Sequence, residues 1–200
     1  MTSEEILAYV EKVRKESEEK NLPVMRRRTA ALLAEIVSAE KPTQALEIGT
    51  CAGVSALTAL AAGVEHLTTV EKDEERFLSS RLAFSVCEVS SRVTQIKGDC
   101  NEVLGYLNGN VYDFIILDGP KSSLLFQYEE SMRMLRVGGM IFIDDVDYHG
   151  MIKGEGAKHK QRTIITAMRA FLEKIKSDER IEVTFYEIED GVAVIRKMRE

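Results

Sequence analysis

Two apolar segments of the sequence each end in acidic residues. Residues 115–117 precede Asp118, and residues 141–143 precede Asp144 and Asp145. Short apolar segments of this kind are typical of buried strands in a parallel sheet, and open α/β sheets bind their ligands at the carboxyl ends of such strands. Three carboxylates that converge there would repel one another unless a cation lay between them. The pattern therefore predicts a site for a hard divalent cation with oxygen ligands, such as Mg²⁺.

A glycine turn after the first predicted strand is a second candidate ligand site. Gly49 and Gly53 would let the backbone approach a ligand closely, beside the free N–H groups of the following helix. A dinucleotide fingerprint needs a glycine where this chain has Cys51, which disfavours a nicotinamide-dependent oxidoreductase. Glu47 adds a negative charge before the turn. We therefore expect a cationic or zwitterionic ligand there and not a phosphate.

Two more acids follow at the ends of the next two predicted strands. Glu71 lies about twenty residues beyond Gly49, where an acid typically hydrogen-bonds a ribose diol. Asp99 could accept a hydrogen bond from an adenine amino group or cap the helix that follows, and both roles are compatible. Asp73 is interpreted as a helix cap. A glycine turn, a ribose acid and an adenine acid in this order predict an adenosine ligand without phosphates, namely S-adenosylmethionine.

Strands and helices alternate through most of the chain, which predicts a doubly wound, mostly parallel α/β sheet of seven strands ending in an antiparallel hairpin. We expect one domain over residues 1–200, with N-terminal helices in residues 1–40 and a Rossmann-like core in residues 41–200. The loop at 146–157 directly follows the acid pair and is a candidate lid. The predicted strands are 45–48, 67–71, 93–97, 112–118, 140–144, 181–189 and 191–197; the predicted helices are 4–20, 25–39, 53–62, 73–88, 100–107, 123–135 and 158–176.

Composition argues against several classes of protein. No apolar segment approaches the roughly 18 residues of a membrane span, and the first residues lack the basic and apolar pattern of a signal peptide. Cys51, Cys87 and Cys100 are odd in number and lack the spacing of a metal site, which favours reduced thiols. We therefore expect a cytoplasmic protein that does not contact a membrane.

The charge of the chain leaves the kind of acceptor open. A net charge of −6 argues weakly against nucleic acid as a default partner. The basic residues are nevertheless clustered, and each cluster is either a solvated surface or a contact for a phosphate-bearing substrate. The three clusters are Arg26, Arg27 and Arg28; Lys153, Lys158, Lys160 and Arg162; and Arg196, Lys197 and Arg199.

Several motifs together resemble the cation-dependent class I O-methyltransferases, a group that includes catechol and caffeoyl-CoA O-methyltransferases. The resemblance extends over roughly residues 20–197 and implies the class I methyltransferase fold, S-adenosylmethionine and Mg²⁺ or another divalent cation. The motifs that carry it are Glu47-x-Gly49-Thr50-x-x-Gly53-x-Ser55, Glu71, Asp99, Leu117-Asp118-x-x-Lys121 and Asp144-Asp145-Val146.

This resemblance assigns expected roles to individual residues. The cofactor-binding residues would be Met25, Glu47, Gly49, Ser55, Glu71, Asp99 and Asp118. Asp118, Asp144 and Asp145 would hold the metal. Lys121 would be the catalytic base, with Asp118 beside it as the second catalytic residue. The family usually has Asn at the position of Asp145, so this chain carries one carboxylate more than the family pattern.

Within that family, the chain is most similar to bacterial tRNA 5-hydroxyuridine methyltransferases, at residues 22–25, 158–162 and 190–193. The resemblance therefore implies 5-hydroxyuridine in tRNA as the acceptor. A small catechol-like aromatic acceptor remains an alternative, as does a binding module that keeps the cofactor pocket without catalysis. A homodimer is also expected.

Overall fold

The computed structural model describes residues 1–147 and 159–200, and of residues 159–161 the backbone only. The helices are α1 (Ser3–Glu19), α2 (Arg27–Glu40), α3 (Val54–Ala62), α4 (Glu74–Val86), α5 (Cys100–Val103), α6 (Leu124–Met134) and α7 (His159–Ser177). The strands are β1 (Gln44–Ile48), β2 (His66–Glu71), β3 (Val93–Lys97), β4 (Tyr112–Leu117), β5 (Leu135–Ile143), β6 (Ile181–Tyr186) and β7 (Val192–Lys197). Most of the predicted lid, at residues 148–157, lies outside the described residues.

The strands form one seven-stranded sheet in the order β3-β2-β1-β4-β5-β7-β6. Strands β1 to β5 are parallel, whereas β7 runs antiparallel to both β5 and β6. The prediction of a doubly wound sheet with a C-terminal hairpin is therefore confirmed. In the register, Leu117 of β4 is level with Ile48 of β1 and with Ile143 of β5. The residues that follow these three strands consequently meet at one edge of the sheet.

Both faces of the sheet are covered because the central strands are apolar on both sides. Along β4, Phe114 and Ile116 pack under α1, α2 and α3, whereas Ile115 and Leu117 pack under α6 and α7. Successive strand residues point to opposite faces, so a continuous apolar segment fills two cores at once. The acid that follows β4 is therefore attached to a strand with little freedom to move.

The N-terminal helices continue one of these cores. The capping box of Thr2 and Glu5 is present at the start of α1, as predicted. Ile6 and Val10 of α1 and Leu33 of α2 are buried in the same cluster as α3. Residues 1–40 thus pack on the same face of the sheet as α3, the helix that follows the glycine turn.

Several element boundaries differ from the sequence predictions. The predicted helix at 100–107 is an α-helix only to Val103 and continues as a 3₁₀ turn that contains Gly105, a residue that weakens helices. Strand β5 begins at Leu135, directly after α6, and not at 140, since Gly138 and Gly139 hide its apolar pattern. Strand β6 ends at Tyr186 because the turn before β7 takes up the residues that follow.

Cys51, Cys87 and Cys100 are free thiols, as predicted. Among the helices described, none combines the length and the apolar composition needed to cross a membrane.

Ile116, fully buried in the centre of the sheet, provides a graded test of this packing. Ile116→Val should lower the free energy of unfolding by about 0.5–1.5 kcal/mol and Ile116→Ala by about 2–5 kcal/mol, since the alanine leaves a cavity. Val137→Ala is the control, because Val137 is 51% exposed on neighbouring β5 and should cost less than about 0.5 kcal/mol. Urea denaturation measures all three, and equal losses at both positions would contradict the packing described.

Candidate metal and cofactor site

The three predicted metal ligands come together at the carboxyl edge of the sheet. One carboxylate oxygen from each of Asp118, Asp144 and Asp145 lies within 4.8 Å of the others. Asp118 follows β4 and Asp144 follows β5, and the N–H of Asp144 donates to the carbonyl of Leu117 at 3.2 Å. Adjacent parallel strands thus deliver the first two acids to one place.

The third acid reaches the cluster through a bulge. Ile143 of β5 pairs with Ala193 of β7, and the next bond between them runs from the N–H of Val146 to the carbonyl of Gly191 at 3.0 Å. Beyond the end of the paired strands, the β5 side therefore contains one residue more than the β7 side, an arrangement that resembles a β-bulge and is called the bulge below. Asp145 has a φ of 55°, a left-handed conformation that Asp and Asn tolerate better than other non-glycine residues. The bulge breaks the normal alternation, so two consecutive side chains point into the same cluster.

Burial makes this cluster electrostatically costly without a cation. Asp144 is only 4% exposed, and its burial, followed by repulsion from Asp145, raises its pKa to about 7. Burial also raises the pKa of Asp118 well above its usual value, although Lys121 opposes the rise. An oxygen-rich, partly buried and negatively charged donor set fits a hard divalent cation such as Mg²⁺.

Lys121 lies directly against the acids. Its Nζ donates to the backbone carbonyl of Asp144 at 2.8 Å and is 3.9 Å from Asp118 Oδ1. The short 3₁₀ turn that carries Lys121 is held by Gln127 of α6, which is fully buried. Gln127 Nε2 donates to the carbonyl of Pro120 and to Ser123 Oγ, both at 2.9 Å. Gln127 was not predicted from the sequence, since a glutamine within an amphipathic helix carries no signal of its own.

A cavity of about 990 Å³ opens beside the acid cluster at the ends of the parallel strands. Among the predicted site residues, it is lined by Gly49, Glu71, Asp99, Asp118, Lys121 and Asp145. Four of the seven predicted cofactor residues and two of the three clustered acids therefore share one cavity, with Asp118 common to both sets.

The glycine turn lies against the residue that joins the two halves of the site. Gly49 has a φ of 96°, and a Cβ at this position would lie 2.5 Å from the backbone oxygen of Asp118. Only glycine fits, because the obstructing atom belongs to the backbone and cannot rotate away. Glu71 holds the turn from the other side, since its Oε2 accepts from the N–H of Cys51 at 2.8 Å.

Three predicted cofactor residues do not line the cavity. Glu47 is fully buried, and its carboxylate accepts hydrogen bonds of 2.6 Å from Ser55 Oγ and Thr69 Oγ1. Strand alternation directs Glu47 beneath α3, and burial raises its pKa to about 7 despite those hydrogen bonds. Met25 is also buried, and Arg14 donates to its carbonyl. In the described chain, Glu47 and Ser55 support the turn from below.

The position of Asp99 is compatible with both roles that the sequence left open. It caps α5 by accepting from the N–H of Asn101 at 2.9 Å, and it lies at the rim of the cavity. Its other oxygen accepts from Lys72 Nζ at 2.7 Å, and this partner was not anticipated. Asp73 caps α4 through the N–H of Arg76, as predicted.

The first and the C-terminal basic clusters contain several ion pairs. Arg26 pairs with Asp190. Arg27 pairs with Glu11 and Glu18, both at 3.0 Å. In the C-terminal cluster, Arg196 pairs with Glu40 at 2.6 Å, and Lys197 is buried and donates to the carbonyls of Met132 and Leu135. Much of the charge expected to meet phosphate is therefore already compensated, while Lys153 and Lys158 lie outside the described residues.

Comparison with known proteins gives a consistent result. A family model described as O-methyltransferase matches residues 1–198. The caffeoyl-CoA O-methyltransferase of Populus kitakamiensis is 25% identical over 187 residues, which cover 89% of this chain and 78% of that protein. An SAH-bound methyltransferase from Podospora anserina superposes with a TM-score of 0.81 at 24% identity, covering 96% of this chain and 87% of the other. An O-methyltransferase from Bacillus cereus, solved with SAH, gives a TM-score of 0.83 at 20% identity, with 95% and 91% covered.

The raised pKa of Asp144 predicts how pH affects stability without metal. A carboxyl whose pKa rises on folding binds its proton more tightly in the folded state, so the free energy of unfolding falls as pH rises from about 4 to about 7. Asp144→Asn should remove much of this fall and make the metal-free protein more stable than the wild type above pH 7. Urea midpoints measured in excess chelator give both pH profiles. Parallel profiles for the two proteins would contradict this account of the cluster.

Proposed function

The chain belongs to the O-methyltransferase family, and from this premise we propose that it transfers the methyl group of S-adenosylmethionine to a hydroxyl acceptor with the help of a divalent cation. The prediction of an O-methyltransferase is confirmed by a family match over almost the whole chain. The observation that carries the metal and cofactor assignments is the single cavity shared by the glycine turn, Glu71 and two of the three clustered acids.

The proposed cofactor half consists of the glycine turn, Glu71 and Asp99. Each carboxylate oxygen of Glu71 already accepts one backbone N–H, from Cys51 and from Asp73, both at 2.8 Å. A carboxylate oxygen has a second lone pair, so Glu71 can still accept from two ribose hydroxyls while the turn holds it in place. Asp99, at the rim, is proposed to accept from the adenine amino group. The SAH reported for the Podospora and Bacillus structures supports this ligand.

The proposed metal half consists of Asp118, Asp144 and Asp145. A divalent cation bound there would supply Lewis acidity that favours the ionised form of the acceptor hydroxyl. Asp145 adds a charge where the family usually has Asn, and both residues tolerate the left-handed backbone of the bulge. The extra carboxylate is expected to strengthen cation binding and to reduce the Lewis acidity of the bound ion.

Methyl transfer requires the acceptor oxygen, the methyl carbon and the sulfur to lie in line. The acceptor oxygen attacks the methyl carbon, the carbon–sulfur bond breaks, and S-adenosylhomocysteine leaves. We assign the hydroxyl proton to Lys121, which the carbonyl of Asp144 and the turn held by Gln127 orient toward the acids. Lys121 can accept that proton only as the neutral amine.

For the acceptor, we propose 5-hydroxyuridine in tRNA, which would place the enzyme in the cytoplasm. The support is the resemblance at residues 22–25 and 190–193. These two segments are close in space, because Arg26, directly after the first, forms an ion pair with Asp190 of the second. A small catechol-like aromatic is the second candidate, favoured by the ion pairing of the basic clusters. Both acceptors present two oxygens on neighbouring carbons, a hydroxyl beside a carbonyl or a second hydroxyl, which suits recognition by one cation.

The proposed homodimer is supported by one surface. Leu78, Leu82 and Val86 follow one another at helical spacing along α4 and are 51%, 65% and 45% exposed. An apolar stripe on a single helix is self-complementary across a two-fold axis.

Removal of one metal ligand should separate metal binding from cofactor binding. Asp144→Ala should lower the rate of methyl transfer by at least about 100-fold, because replacing residues that only support a metal's ligands already costs about 10- to 100-fold. Its affinity for S-adenosylhomocysteine, measured by calorimetry, should stay within about threefold of the wild-type value, since Asp144 does not line the cavity.

The matched control is Asp147→Asn, which removes an acid three residues further along that is not part of the cluster. This variant should keep most of the activity. Full activity of Asp144→Ala, or of the wild type in excess chelator, would refute the role of the metal.

Nucleoside mass spectrometry can decide between the two acceptors. In cells that lack the protein, tRNA should contain unmethylated 5-hydroxyuridine, and the wild-type gene but not the Asp144→Ala gene should restore the methylated nucleoside. An unchanged tRNA profile, together with methylation of a catechol by the purified protein, would reject tRNA in favour of the second candidate.

A further inference from the structure

We infer that the β6–β7 turn, Glu189–Gly191, is a positioning element that sets the geometry of the acid loop, Asp144–Asp147, and connects it to the start of α2. This inference rests on the proposed metal site. It concerns residues that do not line the cavity, and it gives the N-terminal helices a part in the site.

The turn and the acid loop are joined backbone to backbone. The N–H of Val146 donates to the carbonyl of Gly191 at 3.0 Å, and the N–H of Asp147 donates to the carbonyl of Asp190 at 2.8 Å. These bonds lie immediately beyond the bulge at Asp145. Because a bulged residue is itself unpaired, its conformation depends on the pairs on either side of it. The turn supplies the pairs on one of those sides.

Gly191 fits closely against the acid loop. Its φ is 78°, and a Cβ at this position would lie 3.2 Å from Asp147 Cβ, from the N of Asp147 and from Val146 Cγ2. Two of these three atoms belong to the backbone or begin a side chain, so they can move only if the loop moves. A side chain at 191 would therefore displace the segment that orients Asp144 and Asp145.

The other side of the turn is fixed to α2. Glu189 accepts hydrogen bonds from the N–H of Arg28 at 3.1 Å, from the N–H of Thr29 at 2.9 Å and from Thr29 Oγ1 at 2.8 Å. Glu189 thus caps α2 from a distant part of the chain, and its negative charge is favourable at the N-terminus of a helix. Asp190 adds an ion pair with Arg26. Because α2 is packed in the core, the turn bonded to it is held in place, and the turn in turn holds the acid loop.

Binding of Mn²⁺ as a probe metal tests this inference with a measurement other than activity. The dissociation constants of Mn²⁺, from calorimetry or electron paramagnetic resonance, and of S-adenosylhomocysteine are compared for the wild type, Gly191→Ala and Glu189→Ala. Both variants should bind Mn²⁺ at least about tenfold more weakly, as expected when support of metal ligands is lost. Both should bind S-adenosylhomocysteine within about twofold of the wild type. Glu189→Gln, which keeps an acceptor oxygen for Thr29, should recover part of the loss.

Glu187→Gln is the matched control, because Glu187 is an exposed acid two residues before the turn. It should leave both constants unchanged. If the wild type binds Mn²⁺ and both variants bind it equally well, the inference is wrong. If Gly191→Ala fails to fold, Glu189→Ala alone decides. Failure of the wild type to bind Mn²⁺ would instead overturn the proposed metal site, so the two failures are distinguishable.

Discussion

The clustering of three carboxylates, one buried and two partly buried, is the constraint on which the rest of the site depends. Asp118, Asp144 and Asp145 bring one oxygen each to within 4.8 Å of the others, and burial raises the pKa values of the first two. Buried charges of one sign are unfavourable unless an opposite charge compensates them. The cluster therefore lowers the free energy of unfolding of the metal-free protein, and a bound cation would raise it again.

The fold tolerates this cost because it holds the acids from several sides. Strand β4 is buried on both faces, and β5 is paired with β4 and β7. The close contact of Gly49 with the backbone of Asp118 joins the glycine turn to the first acid, so a shift of one half of the site would disturb the other. The β6–β7 turn constrains the second and third acids from outside the cavity. Asp118 is therefore common to the proposed cofactor side and the proposed metal side of the site.

The sequence predicted those parts of the site that depend on short-range patterns. Apolar segments tipped with Asp118 and Asp144 revealed both the strands and the convergence of their ends, because parallel strands end at one edge of the sheet. The position of Glu47 beneath the turn was not predicted. The motif shows only that Glu47 is near the turn in sequence, whereas the direction of its side chain depends on the strand register. The contacts of Gln127 and Glu189 were not predicted for a related reason: their partners lie in other elements, and Glu189 caps a helix about 160 residues away in the chain. The ion pairing of the basic clusters is likewise a tertiary property that charge counting cannot reveal.

Anomalous diffraction from crystals grown with Mn²⁺ and S-adenosylhomocysteine tests the central claim most directly, because it locates the metal without reference to activity. The account predicts an anomalous peak about 2.1 Å from an oxygen of each of Asp118, Asp144 and Asp145, a distance typical of hard divalent cations of this size. The absence of a peak among these carboxylates, or a peak only elsewhere on the protein, would contradict it.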